Sequence, residues 1–464
     1  MRRVPSAILV TLALIVLAGP AAAQPVDIPP TWGGSFWDRP RLTGDWFGLR
    51  DEMGKKGVVV DVDLLQIPQG VGIGGRENLA EYSGLAEYTL NVDTQKLGLW
   101  PGGFLRVMGM TNFGDYVNNA SGAIVPPNMA SLLPQPDDTT SALMNLTFMQ
   151  FLSPKFGVVV GKLYTLGGDD NAFAHDYHSQ FLNTALNFNT TLSLVPFTAY
   201  GGALIFLPWE GATFSVSVID PSGSATNNDI TEAFSDGVFV NGEGRVTIKP
   251  FGLVGHQLLG FVWSNKERFT FKQDPDNIAR MFLFNRFPRL ANPGPLLRRI
   301  LARFFPELLV PVQPLNTTEN TWSVYYNFDQ FLWSPAGQPD KGIGAFFRFG
   351  ISDGIANPVK YAYNVGLGGK GIVPGRPSDT FGIGWARTQL SDDFIPFLRQ
   401  RLDLGLNKED AVEMYYNFSI AKWLNATLDL QVINPAFNKF LDSSQRLETM
   451  HTSVVGGLRI YSRF

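Results

Sequence analysis

Apolar and polar residues alternate with a period of two along most of the chain from Val58 onward. Leu424-Asn425-Ala426-Thr427-Leu428-Asp429-Leu430-Gln431-Val432 alternates almost perfectly, and Val238–Ile248 and Thr321–Asp329 repeat the pattern. Such a period turns one face toward an apolar medium and the other toward water, as in a half-buried β-strand. Sixteen candidate strands follow, near 58–67, 79–95, 103–113, 141–152, 156–166, 198–207, 212–220, 237–249, 252–265, 320–333, 342–352, 359–369, 379–390, 410–421, 424–434 and 450–464. The last runs to the terminal residue: Val454, Gly456, Leu458 and Ile460 share a parity with Phe464, and Arg459 and Arg463 take the other. Pairing of this strand with the first would close a barrel, with Arg459 facing water in the lumen and Ile460 facing lipid.

The connections alternate in length. Ser153-Pro154-Lys155, Pro208–Gly211, Lys249-Pro250-Phe251 and Lys422-Trp423 are tight, whereas 114–140, 167–197, 221–236, 266–319, 391–409 and 435–449 are long. Bacterial barrels show this alternation, with short periplasmic turns, long external loops and an even strand count. Two connections depart from it: 353–358 is short for an external loop and 370–378 long for a periplasmic turn. Before the first strand, Trp46, Leu49 and Met53 fall on one helical face and Gly57 is a stop signal, which predicts a short amphipathic helix in a periplasmic lead of 24–57. A plug or clamp is the preferred reading of that lead over a transport role.

Residues 1–23 have the layout of a secretory signal peptide: Arg2-Arg3, an apolar run from Ala7 to Leu17, and Ala21-Ala22-Ala23 at the cleavage site. No later stretch approaches the roughly 20 apolar residues of a membrane-spanning helix, so a membrane-resident form must be a closed barrel. A net charge of -4 gives no reason to expect nucleic acid. The chain has no cysteine and four histidines, none at metal-ligand spacing, which leaves neither thiol chemistry nor a zinc site.

Four segments carry a resemblance to a known family: LTGDWFGLRDEMGKKGVVVD (42–61), NTTENTWSVYYNFDQFLW (316–333), GGKGIVPGRPSDTFGIGWARTQLSD (368–392) and EMYYNFSIAKWLNATLDLQVINP (413–435). Together they resemble the OprB-type carbohydrate-selective porins across essentially the mature chain. The resemblance implies an all-β, sixteen-stranded outer-membrane barrel over 58–464 with inward-folded external loops, passing monosaccharide-class sugars by diffusion. It also implies that Phe464 is the signal read by the barrel assembly machinery, that outer-membrane lipid and lipopolysaccharide surround the protein, and that monomer and trimer are both open.

A passive sugar channel needs no nucleophile and no cofactor. It needs a wet lumen, a narrowing, and side chains that exchange hydrogen bonds with hydroxyls without holding them. Arginine and carboxylate groups suit this, and aromatic rings can meet the C–H face of a sugar. Parity turns Arg106, Glu243, Arg245, Arg348, Glu87 and Glu413 inward, because an outward Arg or Lys at midplane would cost roughly 2–4 kcal/mol. Lys162 joins them on weaker parity. Generic lumen lining is the plainer role for any one of them. Arg387 shares the parity of Phe381, Ile383 and Trp385, so it faces lipid unless a bulge intervenes or it snorkels.

The segment 167–196 is the candidate for a loop folded into the barrel, with Asp169, Asp170 and Asn183 as solute contacts. His175 and His178 flank Asp176 there, but one such pair is thin support for a metal. Leu296–Phe305 reads as a basic amphipathic helix in the longest insert, suited to lipopolysaccharide contact or pore covering, with a solvated loop as the plainer reading. Three rivals remain: an outer-membrane enzyme, which lacks a persuasive serine motif; a soluble glycan-binding β-protein, which leaves the loop alternation unexplained; and a general or weakly ion-selective porin.

Overall fold

In the computed structural model, which describes residues 28–464 apart from 136–138, 168–169, 395, 397–398, 400–402, 443 and 445, sixteen strands close into one antiparallel barrel. The first half comprises β1 (Val58–Gly75), β2 (Ala80–Asp93), β3 (Gly103–Gly114), β4 (Ser141–Ser153), β5 (Phe156–Tyr164), β6 (Thr198–Phe206), β7 (Ala212–Ile219) and β8 (Phe239–Ile248). The second comprises β9 (Gly255–Ser264), β10 (Thr321–Trp333), β11 (Gly342–Ser352), β12 (Val359–Lys370), β13 (Thr380–Leu390), β14 (Lys408–Ala421), β15 (Leu424–Asn434) and β16 (His451–Arg463). The seam joins β1 to β16, with Asp63 opposite Arg463 and Gln66 opposite Ile460. The expected signal peptide lies outside the described residues.

Alternation fixes which side of the wall each residue takes. On β15, Leu428, Leu430 and Val432 are exposed on the outside, while Thr427, Asp429 and Gln431 are buried inside. Among the described residues no helix is long and apolar enough to cross a membrane, and the strands make the crossing. The largest difference from expectation is β1, which runs to Gly75 instead of stopping near 67. Pro68 and four glycines obscure the extension. Pro68 has no N–H to give, and the β1–β16 ladder skips Ile67 and Pro68 while the β1–β2 ladder continues past them.

A short helix, α1 (Leu49–Lys55), precedes the barrel, and the chain leaves it through Gly57 at φ 79°. Its buried face differs from the expected one. Arg50 and Gly54 are buried, whereas Trp46 lies ahead of the helix and Leu49 is exposed. Gly54 packs under Trp32, where a Cβ would come within 2.5 Å of the indole. Arg50 lies against the Trp32 and Trp46 rings and donates to Asp61 (2.7 Å), to the Val60 carbonyl (2.7 Å) and to the Phe464 carbonyl (3.1 Å). Arg41 adds ion pairs to Asp61 and Asp63, and the Leu42 amide donates to the Arg463 carbonyl. The arm is therefore fastened across the β1–β16 seam, as a clamp would be.

Candidate functional site: a lumen half filled by loops

Segments of two external connections, around 124–133 and 171–191, fold into the barrel and are held there by its inward side chains. Glu413 on β14 accepts hydrogen bonds from the amides of Leu182 (2.6 Å) and Asn183 (2.8 Å). Two periods of alternation away, Glu409 accepts from the amides of Ile124 and Val125, both at 2.8 Å. Arg348 on β11 donates to the carbonyls of Leu186 (2.8 Å) and Ala174, and Arg459 on β16 donates to those of Tyr177 (2.7 Å) and Gln180. Asn364 on β12 donates to the Ala185 carbonyl, and Gln431 on β15 to that of Pro127. The loops brace each other through Met129 N to Leu182 O and Thr184 N to Pro126 O. These contacts address loop backbone, so they fix the loops' position whatever side chains the loops carry. Aromatic packing of Phe173, Phe181, Phe331, Phe346 and Tyr415 fills the space between.

The opposite side of the lumen stays open. A cavity of about 820 Å³ lies elsewhere, among the external loops; the one inside the barrel measures about 620 Å³ and is bordered by residues of β2 through β10 and by the inward loop. Its charged border includes Glu87, Arg106 and Glu243, with Ser215, Ser217 and Asn241 as further polar groups. Between them lie Met108, Met110, Met149, Phe188 and Phe197. Glu243 accepts from the Tyr325 hydroxyl at 2.8 Å, and Glu87 accepts from the Tyr177 hydroxyl and His178 of the inward loop. The wall thus offers hydroxyl-exchanging groups beside polarisable and aromatic surface.

Of the ten residues expected at the pore, Arg106, Glu243 and Glu87 meet at this cavity. Arg348, Glu413 and Asn183 do not: all three are buried in the filled half, where Asn183 caps a helical turn at the Ala185 amide and donates to Gln431. Arg245 pairs with Asp170 at 3.4 Å, away from the cavity's border. Lys162 is buried opposite Leu146 and Tyr200, and its ammonium is taken by the carbonyls of Ala225 and Asn227 and by Asn228 Oδ1. Asp169 lies outside the described residues. Arg459 points inward as its parity requires, but it is buried against loop carbonyls instead of facing water. Arg387 does face outward, without a bulge at its position, and is paired in two hydrogen bonds with Asp410 on the neighbouring strand. By its length 114–140 reads as an ordinary external loop, and the sequence signal for its docking is the inward Glu409 and Gln431 that take its backbone at Ile124, Val125 and Pro127.

His178 is engaged by carboxylates on both ring nitrogens, Asp176 at 2.7 Å and Glu87 at 3.0 Å, and lies against Tyr177 and Tyr461. Burial by itself would lower its imidazole, but Glu87 and Asp176 outweigh that and raise it to about 10. It is a charged rivet between the loop and β2. Among the described residues no three His, Cys or acidic groups are placed to hold a metal.

Residues 77–464 match the profile of the carbohydrate-selective porin family, OprB. The N-terminal segment 42–61 lies ahead of that match. The solved structure of Pseudomonas putida OprB at high pH is similar over 93% of this chain and 100% of its own, at 20% identity and a TM-score of 0.73. The low-pH structure of the same protein is similar over 92% and 99%, at 17% identity and a TM-score of 0.53. At these identities the likeness is one of fold. No curated protein sequence matches the chain.

Proposed function

The chain belongs to the OprB family of carbohydrate-selective porins, and we propose that monosaccharide-class sugars cross it through the open half of its lumen. It is a sugar-selective channel of the bacterial outer membrane. The observation that carries the route is the 620 Å³ cavity beside the docked loops, with Glu87, Arg106 and Glu243 on its border. Arg106 would donate to vicinal hydroxyls while Glu243 accepts from them, and Phe188, Phe197 and the methionines would meet the ring's C–H face. With charges of both signs on the border, no strong ion preference is expected. The closing experiment is liposome swelling with a panel of sugars against size-matched amino acids. Faster sugar rates support this reading; equal rates make the protein a general porin.

Further partners fit the same setting. Leu296, Ile300 and Phe304 are exposed at four-residue spacing on the helix Pro295–Phe304, with Arg298, Arg299 and Arg303 beside them, which suits contact with anionic lipopolysaccharide at the outer leaflet. Phe464 would serve the barrel assembly machinery before the arm's Arg50 takes its carbonyl.

A further inference from the structure

A second cavity, of about 820 Å³, opens among the external loops and shares no bordering residue with the pore cavity among the described residues. Three connections wall it: the β1–β2 turn, the segment after β3, and the β15–β16 loop. The walls are tied together. The amides of Arg76 and Glu77 both donate to the Ala120 carbonyl, and Gly75 at φ 69° passes so close that a Cβ would come within 2.5 Å of that oxygen. Leu79 and Ala120 reach down into a buried apolar cluster with Val71, Val117, Ile433 and Val455, which gives the cleft a floor.

Its chemistry is that of a hydroxyl-binding site. Among the described residues, Glu77, Glu81, Asp115 and Asp442 line it against one cation, Arg76, whose guanidinium lies 5.7 Å from the Phe440 ring. Glu77, Glu81 and Asp115 form no ion pair among the described residues. Asn118 donates to Ser131, tying the cleft wall to the helical turn Met129–Leu132. Carboxylates accept from paired hydroxyls and from ammonium groups, Arg76 donates, and Phe440 with Leu441 supplies an apolar edge. Four anions against one cation disfavour an acidic ligand.

We propose that this cleft is an external capture site for neutral or amino-bearing sugars, set beside the pore and discriminating against acidic sugars. The proposal rests on the channel reading for its purpose but not for its measurement. The test is saturation-transfer NMR on the full-length porin in detergent, with methyl β-glucopyranoside, glucosamine and glucuronate as probes. Glucosamine and the glucoside are expected to bind and glucuronate not. Glu77→Gln with Asp115→Asn should weaken glucosamine about tenfold, the equivalent of one or two lost hydrogen bonds. Phe440→Ala should weaken the glucoside, and it guards against misfolding of the double variant. Unchanged affinity in both variants, or glucuronate binding as well as glucosamine, overturns the proposal. Liposome swelling of the unaltered porin separates the two readings. Sugar flux without cleft-dependent binding removes the cleft and leaves the channel, while cleft-dependent binding without sugar flux does the reverse.

Discussion

On β14, Glu413 points inward and gives both carboxylate oxygens to the amides of Leu182 and Asn183. On β8, Glu243 also points inward, yet it meets a tyrosine hydroxyl and the open cavity. The same residue type at the same kind of position does opposite work because of what the chain places in front of it. On β11, β12, β14, β15 and β16, Arg348, Asn364, Glu413, Gln431 and Arg459 hold loop backbone. Arg106 on β3 and Glu243 on β8 instead border the space through which a solute would pass, with Arg245 on β8 as a loop holder on that side. An off-centre pore follows from this division, with one wall serving as the loops' socket and the other as the solute's surface.

The sharpest way to break the comparison is to unfasten the filled wall. Arg459→Leu leaves the Tyr177 and Gln180 carbonyls without their donor, and each hydrogen bond to a charged group is worth about 1.5–3 kcal/mol. The loop 165–197 is expected to lose its docked position, so single-channel conductance rises and discrimination between sugars and size-matched amino acids falls away. Wild-type conductance in this variant would show that the loop's position does not depend on the socket.

The open wall should answer differently. Glu243→Gln or Arg106→Gln removes a proposed solute contact without unpairing loop backbone. Sugar swelling rates should fall about fivefold, the worth of one hydrogen bond of ~1 kcal/mol, while conductance and thermal stability stay near wild type. A fall in melting temperature comparable to that of Arg459→Leu would make the open wall structural as well.

Most of the barrel is legible because alternation is enforced along each strand: an outward Arg or Lys near midplane costs roughly 2–4 kcal/mol. The spans 424–434 and 342–352 were read with the bounds they have. Parity also turned Arg348, Glu413 and Arg459 inward. What it could not say is whether inward means wet or buried. That depends on loops hundreds of residues away in sequence: Glu409 and Ile124 are 285 positions apart, and Arg459 and Tyr177 are 282. The open half was harder still, because Met108, Met110 and Met149 look like lipid-facing residues until register places them opposite Thr89, Glu87 and Phe104. Arg50 was missed because a buried guanidinium on a short helix is invisible without the seam it fastens.

A smaller effect tests the border between the two halves, where His178 joins the loop to Glu87. An imidazole raised from 6.5 to about 10 on folding stabilises the docked loop fully below 6.5, and that contribution is lost as the pH rises through about 10. Conductance recorded on either side of pH 10 should rise in the wild type and stay flat in His178→Gln. The same rise in both would assign the transition to other groups.

The smallest effect is expected where a loop anchor lies outside both halves. Lys162 donates to the Ala225 and Asn227 carbonyls at 3.1 Å each and to Asn228 Oδ1 at 2.7 Å, holding part of the external connection 220–238. Lys162→Met keeps the apolar stem and removes the three hydrogen bonds. Because Lys162 does not border the cavity, conductance and sugar preference should match wild type, and the change should show only as faster proteolysis within 220–238. Here the comparison has its edge: anchors of comparable strength matter to the pore only when the loop they hold stands inside it. An altered conductance in Lys162→Met would mean that 220–238 also governs the open half, and the loops above that wall would then belong to the gate.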